Sequence, residues 1–190
     1  MLSASKILAR FDPATGDMPG AHVTRRHLHE LRECFVDARA FDAVAATGNP
    51  VIYSVAVIEP ADGPGDLHFG IGHLRPGKIG NEYFMTRGHL HANRDAAEVY
   101  VGLAGEGVMM LEDERTGQSQ MLSLPPNGIV YVPSHTAHRT VNIGIVPLTY
   151  LGIYPARAGH DYDAISRRNF RCVIIERNGR PEMVERRLLS

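Results

Sequence analysis

Two histidines spaced two apart, His89 and His91, are followed by Glu98 and later by His138, within the run Ala137-His138-Arg139-Thr140-Val141-Asn142. Side chains alternate along an extended strand, so residues i and i+2 share a face. A carboxylate on the next strand and a third histidine on a later one would close a site of three imidazoles and one carboxylate. Such a donor set takes Fe(II), Mn(II), Ni(II) or Zn(II) and discriminates poorly among them. One divalent metal is therefore the expected cofactor. Within Glu98–Ala104, Glu98, Tyr100 and Gly102 share one face, and Val99, Val101 and Leu103 share the other. A carboxylate and a phenol thus look into one space, where burial of Glu98 is costly unless it is paired, protonated or metal-bound. His135 competes with His138 for the third imidazole. His138 is preferred because it follows the turn signal at Pro133–His135 and starts the run toward Asn142. His22, His27, His29 and His68 have no partner at ligand spacing and read as surface or packing residues, and His73 stays open.

The elements that must carry these residues are short. Thr24 can cap a helical stretch through Leu28, Leu31 and Phe35, and a second helical piece covers Asp37 to Ala46, ended by Gly48-Asn49-Pro50. From Val51 the texture turns to β-rich runs: Val51–Glu59, Leu67–Arg75, Glu82–Thr86, His89–His91, Glu98–Ala104, Gly107–Glu112, Ser119–Leu124, Gly128–Val132, His138–Asn142, Leu148–Tyr154 and Arg171–Glu176. Turn residues separate them, as at Pro76-Gly77, Gly105-Glu106-Gly107 and Pro125-Pro126-Asn127-Gly128. Many short strands at regular spacing imply an all-β sandwich or barrel. Gly159 to Arg168 reads as one short helix. The chain divides into an N-terminal extension (1–49) packing on the barrel or on a partner subunit, a barrel (50–178) and a C-terminal tail (179–190).

Composition narrows the function classes. The chain has 190 residues, 44% hydrophobic and 22% charged, with a formal net charge of −1. No long-range field favours nucleic acid or an anionic membrane. No apolar run approaches the roughly 20 residues needed to span a bilayer, and Met1 to Pro13 lacks a signal-peptide core. Cys34 and Cys172 are the only cysteines and form no metal-binding pair. A disulfide framework is not expected from two cysteines so far apart, and a thiolate zinc site is excluded by count. A reducing cytoplasm is the expected compartment.

The spacing resembles the cupin superfamily. Its first motif, a His-x-His pair, a glutamate, six residues and a glycine, is matched by His89, His91, Glu98 and Gly105. Its second, a histidine with asparagine four positions later, is matched by His138 and Asn142. Six residues separate His91 from Glu98 where most cupins have three or four, and Pro133 precedes His138 without the usual intervening glycine. Those departures, with the strings Pro76 to His91, Ala97-Glu98-Val99-Tyr100-Val101, Ala137 to Gly144 and Ile153 to Tyr162, resemble the cupin-type glucose-6-phosphate isomerases. The likeness runs in order from about Phe35 to Ile175.

This resemblance implies a double-stranded β-helix (jelly roll), a homodimer and one divalent metal per subunit, with Fe(II) the expected ion. It implies reversible interconversion of glucose 6-phosphate and fructose 6-phosphate. Carried over, the metal ligands are His89, His91, Glu98 and His138. The sugar-phosphate site draws on Tyr53, Thr86, Gly88, Tyr100, Tyr154, His160 and Tyr162. Of these, Glu98 is the obvious carboxylate base, while Tyr154 and His160 shuttle protons between oxygens. Where a threonine hydroxyl is expected near the phosphate, this chain has Gly72, for which His73 or Arg75 could compensate. Lys78 and Arg87 are charged candidates nearby, and Tyr131 and Tyr150 read as packing residues. Other readings are a cupin isomerase for mannose 6-phosphate, a non-haem iron dioxygenase using the same ligands, and a non-catalytic sugar-binding cupin.

Overall fold

The structure, a computed structural model, describes residues 8–189. Its strands are β1 (His22–His27), β2 (Val51–Ile58), β3 (Leu67–Leu74), β4 (Lys78–Ile79), β5 (Glu82–Tyr83), β6 (Glu98–Ala104), β7 (Gly107–Asp113), β8 (Ser119–Leu124), β9 (Ile129–Val132), β10 (Thr136–Asn142), β11 (Leu148–Pro155), β12 (Cys172–Arg177) and β13 (Arg180–Glu185). Two α-helices, α1 (Ala38–Ala45) and α2 (Tyr162–Arg168), and a 3₁₀ helix at Leu28–Cys34 pack around them.

One layer is a six-stranded antiparallel sheet in the order β1-β2-β3-β11-β6-β9. The facing layer is built from β10-β7-β8 and β13-β12-β5-β4, linked through bridges at Met85–Val141 and His89–His138. The two layers enclose a lumen, the architecture of a cupin jelly roll. Alternation sets what enters it. On β6, Glu98, Tyr100 and Gly102 are buried and the residues between them are partly exposed. On β10 every residue is buried. His138 and Thr140 line the lumen from one face. From the other face, Arg139 reaches out over the Phe170 ring at 4.1 Å and donates to the Arg87 carbonyl.

Asn142 at the end of β10 locks a corner. Its amide donates to the Leu74 and Val146 carbonyls, each at 2.9 Å, and its carbonyl oxygen accepts from the Gly144 N–H at 2.9 Å. Asn142→Ala would orphan all three groups, so we expect it to cost about 3 kcal/mol. Urea unfolding should show a lower midpoint, and an unchanged midpoint would remove Asn142 from the stabilising set.

Several sequence expectations need correction. Thr24 does not cap a helix; it sits in β1, paired with Val55. The spacing of Leu28, Leu31 and Phe35 mimics a helix, but β-branched Val23 and Thr24 favour the strand. The turn that follows is a 3₁₀ helix, opened by Glu30 accepting from the His27 N–H at 2.8 Å. The second helical piece does form, with Asp37 accepting from the Ala40 N–H at 2.8 Å. His89–His91 is not a strand but a pair of isolated bridges, His89 to His138 and Leu90 to Asp161. Residues 179–185 are not a tail: β13 pairs with β12 along its length. Residues 22–27 likewise belong to the first sheet of this same chain. Both cysteines are buried and free. Among the described residues no helix is long and apolar enough to cross a membrane.

Candidate active site

His89, His91, Glu98 and His138 converge with one ligand atom each within 4.8 Å of all the others. β6 delivers Glu98 from one layer and β10 delivers His138 from the other, while the segment bridged to β10 delivers His89 and His91. That segment turns at Gly88, whose φ of +76° suits glycine. A side chain there would also meet Phe170 at 2.7 Å and the His138 carbonyl oxygen at 2.9 Å.

The hydrogen bonds define the donor atoms. His91 Nδ1 lies 3.1 Å from the Ala96 carbonyl oxygen and His138 Nδ1 lies 3.1 Å from that of Thr136. A carbonyl only accepts, so Nδ1 carries the proton in both rings. In the neutral ring this leaves a lone pair on Nε2. Those two Nε2 atoms stand 3.2 and 3.0 Å from Glu98 Oε2. Lone pairs aimed at one carboxylate oxygen need a proton or a cation between them. His89 Nε2 is buried without a hydrogen-bond partner. Imidazoles oriented by carbonyls, an orphaned ring nitrogen and a 4%-exposed carboxylate fit a divalent metal.

Burial alone would raise the Glu98 carboxyl, but His138 and His91, when their Nε2 atoms carry protons and donate to it, more than offset that and hold it at about 2. The same bond raises His91 against its own burial. Burial drives His89 well below the usual imidazole range, helped by His138, His160 and His91, so it stays neutral. Burial also lowers His160, against the pull of Glu98. Tyr154 is raised by burial and then by Glu98, and Tyr100 more strongly by the same two causes. Both phenols remain proton donors at neutral pH.

A cavity of about 360 Å³ opens over this cluster. It brings together Tyr53, Thr86, Gly88, His89, Glu98, Tyr100, His138, Tyr154, His160 and Tyr162. His91 stands behind them as a buried member of the cluster. The His160 ring lies 4.5 Å from His89 and stacks on Tyr162 at 5.6 Å and 7°. Tyr154 meets His160 edge-on at 5.7 Å. At the other end, the Thr86 N–H donates to the Thr140 carbonyl at 2.9 Å, and the Thr140 N–H donates to Thr86 Oγ1 at 3.0 Å. The Tyr53 hydroxyl accepts from the Arg87 N–H at 3.4 Å.

Several candidates lie elsewhere. Lys78 pairs with Glu176 at 2.6 Å, and the Arg87 guanidinium pairs with Glu33 at 2.6 Å. His73 binds the Thr149 hydroxyl at 3.0 Å, and Arg75 reaches the Val51 carbonyl. Neither lines the cavity, so neither compensates for Gly72. His135 sits in a loop at φ 58°, near Asp95 and Glu114. Tyr131 is not packed but 61% exposed, while Tyr150 is buried and lines the cavity. His22, read from the sequence as a surface or packing residue, Thr24, read as a helix cap, and Arg26, not singled out, alternate along β1 and line the cavity rim. Their period of two was the available signal. Reading this segment as helical concealed it.

A jelly roll whose lumen holds His-x-His, a glutamate and a later histidine is a cupin. Within that class the chain belongs to the glucose-6-phosphate isomerase family, whose model matches residues 25–187. The glucose-6-phosphate isomerase of Pyrococcus furiosus is 44% identical over 176 residues, covering 93% of each chain. That of Thermococcus litoralis is 42% identical over 171 residues and 90% of each chain. That of Thermococcus kodakarensis is 42% identical over 174 residues, covering 92% of this chain and 91% of the relative. The chain is thus an isomerase by family.

Proposed function

We propose that this enzyme interconverts glucose 6-phosphate and fructose 6-phosphate with a divalent metal held by His89, His91, Glu98 and His138. The observation that carries the metal is the convergence of two neutral Nε2 lone pairs on Glu98 Oε2 beside an unpartnered His89 Nε2. Family membership supports the substrate. The dioxygenase and sugar-binding readings have no comparable support.

When bound, the metal supplies Lewis-acid polarisation of the sugar's carbonyl and hydroxyl oxygens. The protein's own groups account for the proton movements. Glu98 divides its labour between two oxygens. Oε2 faces the imidazoles, while Oε1 faces the space over Gly152, where a Cβ would lie 3.0 Å away. Gly152 therefore leaves room for a substrate carbon beside Oε1. From there Glu98 takes the proton from C2 of the aldose and returns it to C1 of the cis-enediol, giving the ketose. Tyr154 and neutral His160 stand side by side to exchange protons between the two sugar oxygens. Thr86, the Gly88 N–H and Tyr53 hold the far end of the sugar, and Tyr162 backs His160.

The test is a coupled fructose 6-phosphate to glucose 6-phosphate assay on chelator-stripped protein, before and after adding Fe(II), Mn(II), Ni(II) or Zn(II). We expect at least a hundredfold loss on stripping and recovery with one or more ions. Turnover indifferent to chelation would remove the metal from the mechanism. Bound metal without turnover would remove the substrate assignment.

A further inference from the structure

Tyr150 on β11 stands directly opposite Gly72 on β3 and Gly102 on β6. Flanked by glycine on both sides, its ring is free to lie across the sheet. It lies over Gly72: a Cβ built there would fall 2.1 Å from Tyr150 Cζ and 2.5 Å from its hydroxyl oxygen. Any side chain at position 72 would displace the tip of the ring. The missing side chain and the position of the phenol are therefore one feature.

The tip of the ring lies over Gly72, and both residues line the cavity together with Tyr53, Thr86 and Thr140. Thr140, on the opposite layer, lines the same cavity, and burial pushes the phenol up to about 12. The tyrosine thus keeps its proton at neutral pH, and a buried phenol usually finds an acceptor for it. The hydrogen bonds of the described residues give it none on the backbone or on a carboxylate. Thr140 follows His138 by two positions on β10, a separation of about 6.7 Å along a strand. In a hexose 6-phosphate, four carbon–carbon bonds separate C2 from C6. A sugar with C1 and C2 over Glu98 therefore directs its phosphate to the end holding Thr86, Thr140 and Tyr53.

We propose that the Tyr150 hydroxyl, admitted by Gly72, donates to the substrate phosphate and sets the enzyme's affinity for phosphorylated sugars. This rests on the isomerase reading for its substrate. Tyr150 is a binding residue remote from the reacting carbons, so its loss moves KM rather than kcat.

The test uses Tyr150→Phe, which deletes only the hydroxyl, in the metal-loaded enzyme. A donor lost to a charged acceptor predicts a KM for fructose 6-phosphate raised about tenfold or more, with kcat within about threefold. The inhibition constant of inorganic phosphate should rise by the same factor. Gly72→Thr should raise KM by forcing the ring aside. Calorimetric titration of inorganic phosphate into wild type and Tyr150→Phe separates this proposal from the isomerase assignment. Weaker phosphate binding by the variant, with wild type inactive on hexose phosphates, keeps the Tyr150 role and discards the assignment. Equal phosphate affinities, or an unchanged KM in an active enzyme, overturn the Tyr150 role alone.

Discussion

Glu98→Gln is expected to lower kcat for fructose 6-phosphate by about three orders of magnitude, in the range assigned to a lost general base. The amide keeps the volume of the carboxylate, so the barrel should stay folded by circular dichroism. It loses the basic Oε1 facing Gly152 and the charge at Oε2 that the imidazoles of His91 and His138 face. Two defects are therefore expected together, and they are separable. Metal content after desalting reports the Oε2 side. Turnover per bound metal reports the Oε1 side. A variant that keeps both near wild type would remove Glu98 from ligation and from proton transfer. One that loses only metal would leave the proton to another group.

Gly88→Ala should damage the barrel and the histidine cluster together. The backbone there has φ +76°, and the added carbon would sit 2.7 Å from Phe170, 2.9 Å from the Arg139 Cβ and 2.9 Å from the His138 carbonyl oxygen. Left-handed backbone costs an alanine about 1–2 kcal/mol, and overpacking a filled region adds about 1–3 kcal/mol. We expect a loss near 3 kcal/mol, lowering Tm by roughly 6–12 °C at this chain length. The carbonyl in contact is the acceptor for the His89 N–H at 3.1 Å. Relief of the clash thus pulls His89 out of the cluster, and metal affinity should fall with stability. A Tm within 2 °C of wild type, as an outcome, would mean that the turn at Gly88 yields easily.

The cluster of His89, His91, Glu98 and His138 was legible because its information is local. His89 and His91 are two apart, and Glu98–Ala104 alternates so cleanly that the sequence reading and the observed strand have the same ends. Other parts were not local. Leu28, Leu31 and Phe35 fit a helical period, yet the segment before them is a strand because β2 offers Val55 and Tyr53 as partners to Thr24 and Arg26. β13 is mostly charged or proline, a composition that resembles a tail; only its partner β12 makes it a strand. Tyr150 shows the limit most clearly. It shares a face with Gly152 and Tyr154, which was readable. What lets its ring tip enter the cavity is Gly72, far away in the chain and opposite it only after the sheet forms.

The strand order also governs when a growing chain can possess this site. Glu98 sits on β6, which within the six-stranded sheet joins β1, β2 and β3 through β11. Tyr53 and Glu98 therefore have no fixed relation until residues 148–155 have been made and inserted between their strands. The last imidazole, His138, belongs to yet another late strand. Nascent fragments ending before β11 hold all four side chains of the candidate metal site without the frame that aims them. Assembly depends on contacts between distant parts of the chain, a pattern associated with slow folding. The two layers that aim these side chains are thus completed only by strands late in the sequence, β10 and β11.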